Sequence, residues 1–135
     1  ELLVDDLRQM ALGHAVEIPV YDFATHARQK ATQRVEPGAF LIVEGLFALY
    51  WPDINPLYHL RIFVAADDAL CLARRLARDR AERGRSPASI RAQYQQQVRP
   101  MYRRHIQPTV RCADLLLDGS ETIDEQVDKV LVQLT

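Results

Sequence analysis

Phe40-Leu41-Ile42-Val43, followed at once by Glu44-Gly45, constrains this chain more than any other stretch. A strand covered on one face alternates apolar and polar residues. One covered on both faces, as in a parallel sheet with helices on each side, reads as an unbroken apolar run. Residues 40–43 are therefore expected to form a central parallel strand, with Glu44 at the carboxyl end where open α/β sheets place their ligands. Residues 60–64 and 113–117 read as two further short strands. The expected order is helix, hairpin region, strand, short helix, strand, helix, helix, strand, helix, an α/β pattern over one domain spanning residues 1–135. A hydrophobic content of 48% is ample for its core.

Local signals set the boundaries. The first helix ends at Gly13, a residue suited to the left-handed turn that follows a helix. Pro19 forces Ile18 out of the helical region, and with β-branched and aromatic neighbours it makes residues 16–23 extended. The polar stretch from Asp22 to the turn at Pro37-Gly38 is a loop or the second arm of a β-hairpin near residues 16–37. Residues 46–50 form a short helix, and Asp67 or Asp68 caps the helix after the second strand. Ser86-Pro87 is a cap with proline at the first helical position, and Thr122 with Glu125 is a capping box. Between them Ile90, Tyr94, Val98 and Met101 trace an apolar stripe, interrupted at Pro100. Tyr94 and Met101 read as core.

The segment from Arg74 to Arg85 carries the charge. On a helical wheel Ala69, Leu70, Leu72, Ala73, Leu76 and Ala77 share an apolar arc expected to pack in the core, with Arg74, Arg75, Arg78 and Asp79 opposite. Arg80 and Arg83 would fall into that arc, so the helix is expected to stop packing near Asp79 and continue as a mobile arm through Gly84. Between Arg74 and Arg104 lie ten arginines against two acidic residues, Asp79 and Glu82, in a chain of net charge −1. An anionic partner follows, and guanidinium suits bidentate contact with phosphate oxygens. Arg80, Arg91, Arg103 and Arg104 read as a solvated face. Cys71 and Cys112 lack metal or redox spacing. No apolar run approaches the roughly 20 residues needed to span a bilayer, and the expected compartment is cytoplasmic. Glu1-Leu2-Leu3-Val4 has no cap before its apolar spacing begins, as if a helix were entered part-way.

Anion-binding arginines and a carboxylate at a strand's carboxyl end suggest phosphoryl transfer, which is mostly positioning and neutralisation of phosphate charge. The chain has no G-x-x-x-x-G-K-[ST], since glycine occurs only at 13, 38, 45, 84 and 119 and lysine only at 30 and 129.

Four blocks in order, Ile18-Pro19-Val20-Tyr21-Asp22-Phe23-Ala24-Thr25-His26-Ala27-Arg28, Val43-Glu44-Gly45, Arg74-Arg75-x-x-Arg78-Asp79-x-x-Glu82-Arg83-Gly84-Arg85-Ser86, and Gln93-Tyr94 with Val98-Arg99-Pro100-Met101, resemble the uridine kinase family over nearly the whole chain. The resemblance implies a three-layer P-loop NTPase-type fold with a parallel sheet, incomplete at the N-terminus because the family's P-loop lies upstream; without it the chain is expected to be inactive. It implies ATP (or GTP) and Mg²⁺ as cofactors, phosphorylation of the 5′-hydroxyl of uridine or cytidine, and a homotetramer as a possible assembly, with no membrane or nucleic-acid partner. Carried over by position, Tyr21, Phe23 and His26 line the pyrimidine pocket, with His26 and Arg85 reading the base edge. Arg75 and Gln93 meet the ribose hydroxyls. Arg78, Arg83 and Arg85 form a lid over the phosphates, and Glu44 is linked to the metal. The sequence departs from the family pattern at Ala31, Ala65 and Leu117-Asp118-Gly119. Taken singly, Tyr21 and Phe23 read as hairpin packing residues and His26 as a solvated loop residue. Two other readings stand beside this one: a phosphoribulokinase-like enzyme for another small hydroxyl substrate, and a non-catalytic module whose arginine helix binds a polyanion.

Overall fold

A computed structural model of the protein describes residues 2–22 and 27–134. Helix α1 (Leu2–Ala11) buries Leu7 and Met10, and Gly13 follows at φ +84°. Strands β1 (Val16–Asp22) and β2 (Ala27–Val35) then pair antiparallel, from Val16↔Val35 to Asp22↔Ala27. Their register slips between Pro19 and Tyr21, where proline lacks the N–H a regular ladder requires. The expected hairpin arm is present.

Strand β3 (Ile62–Ala65) pairs parallel with β4 (Leu115–Asp118), Ile62 opposite Leu115 and Ala65 opposite Asp118. Asp114 locks the entry to this ladder, accepting from the Arg61 backbone N–H and Nε at 2.9 Å each and from Nη2 at 2.6 Å. At the exit the Gly119 N–H donates to the Ala65 carbonyl at 2.6 Å. Backbone passes backbone so closely here that a Cβ on Gly119 would stand 2.9 Å from that carbonyl oxygen and 3.1 Å from Ala66 Cβ. Beside the ladder Leu49, Phe63 and Ile106 form a buried cluster, packed by Tyr58, Ala65, Tyr102 and Ala113.

Residues 40–43 are not a strand. Phe40 is 79% and Ile42 87% exposed, and no described residue pairs with this stretch. A parallel strand exists only through bonds to its neighbours, so an apolar run with the right composition stays unpaired where none runs alongside. The short helix expected at 46–50 is instead a pair of turns, closed by the bonds from Ala48 N–H to Gly45 and from Tyr50 N–H to Phe47. The described fold is α/β with two small sheets, one of them parallel.

Helix α2 (Asp68–Arg83) opens on Asp67, whose carboxylate accepts from the Leu70 N–H at 2.7 Å, and it does not stop at Asp79. It runs to Arg83 and closes on Gly84 at φ 59°, ψ 23°. The mobile arm is thus corrected to a continuous helix and a tight turn. The wheel also inverts: Ala69, Ala73 and Ala77 are exposed, Leu70, Leu72 and Leu76 are half-buried, and the buried residue of α2 is Asp79. With Ala77 uncovered, Arg80 and Arg83 meet no apolar wall to stop the helix.

Ser86 Oγ accepts from the Ser89 N–H at 3.2 Å and Pro87 begins α3 (Pro87–Gln93), as its sequence requires. Two π-helical turns (Tyr94–Val98 and Tyr102–Ile106) flank α4 (Arg99–Met101), and a 3₁₀ stretch (Gln107–Cys112) follows. The wider turns lie around Pro100, which has no N–H for the helical ladder. Ile90, Tyr94 and Ile106 are buried on this segment, but Met101 is half exposed and is not core. The capping box forms ahead of α5 (Ile123–Leu134): Thr122 N–H and Oγ1 donate to Glu125 Oε2 at 2.9 and 2.8 Å, and Glu125 N–H returns a bond to Thr122 Oγ1. Among the described residues no helix is long and apolar enough to cross a membrane. Cys71 and Cys112 are both free thiols.

Candidate functional site

Asp79 is the centre of the site. Its side chain is fully buried, and four guanidiniums converge on it from both directions along the chain. Arg75 and Arg83 arrive from one helical turn before and after, with Nε at 3.5 Å from Oδ2 and Nη1 at 3.4 Å from Oδ1. Arg78 places Nε and Nη2 each 3.1 Å from Oδ1. Arg85 comes from beyond the helix, its Nη1 3.6 Å from Oδ2.

Arg85 reaches back because the Asp79 carbonyl accepts from the N–H groups of both Gly84 and Arg85, which folds the chain over the end of α2. The left-handed conformation this needs is strained for any residue with a Cβ and open to glycine. Helix α3 packs against α2 and supplies the remaining side of the site. Gln93 Oε1 accepts from Arg85 Nη1 at 2.7 Å and Arg75 Nη2 at 3.1 Å, and Ser89 Oγ accepts from Arg85 Nη2 at 3.2 Å.

Burial works to raise the Asp79 pKa, but the Arg78 hydrogen bond and the charges of Arg75, Arg83 and Arg78 outweigh it and hold the carboxyl below the ordinary aspartate range. Four guanidiniums bring five N–H donors each to two oxygens, so most of the donor capacity is left over. The contacts are also longer than the roughly 2.7–2.9 Å of optimal charge-assisted bonds. Arg75 Nε and Asp79 Oδ2 are buried without a hydrogen-bond partner. Arg78 and Arg83 keep 48% and 54% of their side-chain surface exposed, whereas Arg75 and Arg85 keep 21% and 30%. A positively charged array with unspent donors and two outward-facing members is equipped to bind an anion with several oxygens.

Of the residues singled out by sequence, Arg75, Arg78, Arg83, Arg85 and Gln93 meet here. Tyr21 stands apart on β1, half exposed and paired with Arg28 across the hairpin. Glu44 is exposed at the end of the unpaired stretch. Phe23 and His26 lie outside the described residues. Asp79 as a hub and Ser89 as a ligand of Arg85 were missed by sequence reasoning. The spacing of Asp79 at four residues from both Arg75 and Arg83 carried that signal. Arg103 is exposed, as expected of a solvated face, and also joins Arg99 on Asp68, with Nη2 3.7 Å from Oδ2, while Tyr94 Oη donates to Asp68 Oδ1 at 3.3 Å.

Among the described residues no group of three or more His, Cys, Asp or Glu is placed to hold a metal. Magnesium held by one carboxylate, waters and substrate phosphates requires no such group; Glu44, the carboxylate expected to serve it, is exposed after an unpaired stretch rather than at a strand's carboxyl end.

Residues 1–125 match the model of the phosphoribulokinase / uridine kinase family. The chain is 40% identical over 134 residues to a uridine kinase of Chloroflexus aggregans, covering 99% of this chain and 64% of the relative. It is 40% identical over 133 residues to a uridine kinase of Lactobacillus johnsonii, covering 98% and 63%, and 42% identical over 134 residues to a uridine kinase of Lactococcus lactis subsp. cremoris, covering 99% and 65%. It thus spans 63 to 65% of the length of these relatives. With a family match over residues 1–125, the chain belongs to the phosphoribulokinase / uridine kinase family.

Proposed function

We propose that the gene product containing this chain transfers the terminal phosphoryl group of ATP (or GTP) to the 5′-hydroxyl of uridine or cytidine, and that residues 1–135 supply the nucleoside pocket and the arginine lid of its kinase domain. The observation that carries this reading is the convergence of Arg75, Arg78, Arg83, Arg85 and Gln93 around Asp79 in a chain whose relatives are named uridine kinases.

In this reading Tyr21 and Phe23 hold the flat base, and His26 and Arg85 give it directional hydrogen bonds. Arg75 and Gln93 fix the ribose, which holds the 5′-hydroxyl in line with the phosphate. Arg78, Arg83 and Arg85 close over the phosphates, exclude water and stabilise charge as the bond to the leaving oxygen lengthens. Glu44 would be one carboxylate holding magnesium, which would supply neutralisation of the phosphate oxygens. A second reading, a phosphoribulokinase-like enzyme, rests on the breadth of the matching family.

A coupled ADP-release assay of that gene product with uridine, cytidine, ribulose 5-phosphate and pantothenate separates the two. Turnover of uridine or cytidine is expected, and turnover of ribulose 5-phosphate alone would sink the first reading. In the active protein, Tyr21→Ala and His26→Ala should raise the nucleoside KM by about tenfold or more with the ATP KM little changed. Equal effects on both would argue against a base pocket there.

A further inference from the structure

Lid arginines of a kinase have to be close together before phosphate arrives, although like charges repel. Here one buried anion relieves the repulsion, beside the solvent that screens the half-exposed Arg78 and Arg83. Asp79 lies on the same helix as three of the four arginines and reaches the fourth through its own backbone carbonyl, which closes the Gly84 turn. Its two oxygens are shared at 3.1–3.6 Å.

We propose that Asp79 is a positioning residue: an internal anion that holds Arg75, Arg78, Arg83 and Arg85 as one array in the free protein and, of the three lid arginines, releases Arg78 and Arg83 to an incoming phosphate while Arg85 meets it from its place on Asp79. The division follows from burial and bonding. A buried carboxylate stripped of all its partners is strongly disfavoured, so the array cannot leave Asp79 together. Arg75 and Arg85 are the more buried pair, and the shared Gln93 Oε1 pins both. Arg78 and Arg83 are about half exposed and Gln93 does not hold them. The inference deepens the kinase reading and rests on it for its catalytic consequence.

The test is Asp79→Asn in the gene product containing this chain, read by steady-state kinetics and by the arginine Nε–Hε resonances. In the wild type, Arg78, whose Nε donates to Asp79 Oδ1, and Arg75, whose Nε is buried beside Oδ2, should show dispersed Hε signals protected from exchange, and ATP should shift Arg78 and Arg83 while leaving Arg75 and Arg85 in place. Asp79→Asn should collapse that dispersion and lower kcat by about 10- to 100-fold, and it should raise the nucleoside KM as well, since Arg75 and Arg85 lose the same anchor. A folded Asp79→Asn protein with wild-type kcat and unchanged arginine signals overturns the proposal, as does an ATP response that moves all four arginines equally. If Asp79→Asn does not fold, Asp79→Glu restores the charge but displaces the oxygens by one methylene: lowered kcat supports positioning, and full kcat overturns it. If neither folds, the wild-type Arg78 Hε decides, since free exchange there would mean no preformed array. Should the wild type phosphorylate no nucleoside, the kinase reading fails, while the Hε signals still report whether Asp79 orders the arginines.

Discussion

Arg61 and Asp114 form an ion pair at the entry to the parallel ladder, and its pH dependence has a definite sign. The Arg61 side-chain hydrogen bonds, then its backbone N–H and its charge, lower the Asp114 pKa to about 2 against the opposing effect of burial. A depressed aspartate contributes stability above its unfolded pKa of about 3.9 and loses it as pH falls toward the folded value. The melting temperature of the protein should therefore drop more steeply between about pH 4 and pH 2 than that of Asp114→Asn, and the two curves should converge at the acid end. Parallel curves across that window would remove the pair from the acid response. Asp79 shows the limit of reading single residues from sequence. Its i±4 relation to Arg75 and Arg83 is visible, but its burial depends on Arg85 returning through the Gly84 turn and on Gln93 from α3, neither of which a helical wheel contains.

At the scale of elements, signals that act within a few residues were legible. Ser86-Pro87 opens α3, Thr122 and Glu125 cap α5, and Pro19 breaks the hairpin register, because each interaction is completed by its own neighbours in sequence. Elements that need a remote partner were not legible. Residues 40–43 carry the composition of a doubly covered strand, yet composition records what such a strand would require and supplies none of its bonds. The apolar arc of α2 misled for the same reason. Gly119 marks the opposite case, where a remote backbone dictates one residue. A methyl group at 2.9 Å from the Ala65 oxygen has no flexible side chain to push aside. Gly119→Ala should cost about 1–3 kcal/mol, read as a lower denaturant midpoint at unchanged slope. Thr122→Ala, which removes only a cap, should cost about 1 kcal/mol.

The whole molecule combines a net charge of −1 with an arginine array at one end of α2 and apolar residues exposed elsewhere. Phe40, Ile42 and Leu46 are 79%, 87% and 71% exposed within seven residues, a patch of the kind that drives association. Residues 1–135 expressed alone should self-associate at micromolar concentrations in size-exclusion chromatography, and Phe40→Asp with Ile42→Asp should reduce it. An unchanged elution profile for the double variant would place the sticky surface elsewhere, α5 with exposed Ile123 and Val132 being the next to examine.

Two of the carboxylates of α2, Asp68 and Asp79, fasten the helix at separate points. Asp68 fastens one end to Arg99 and Arg103, and Asp79, eleven residues on and about 16 Å away by helical rise, gathers the arginines at the other. A ligand that draws on Arg78 and Arg83 slackens the far fastening alone. The Asp68 end keeps its hold on Arg99 and Arg103 whichever guanidiniums leave Asp79, because the two carboxylates share no arginine.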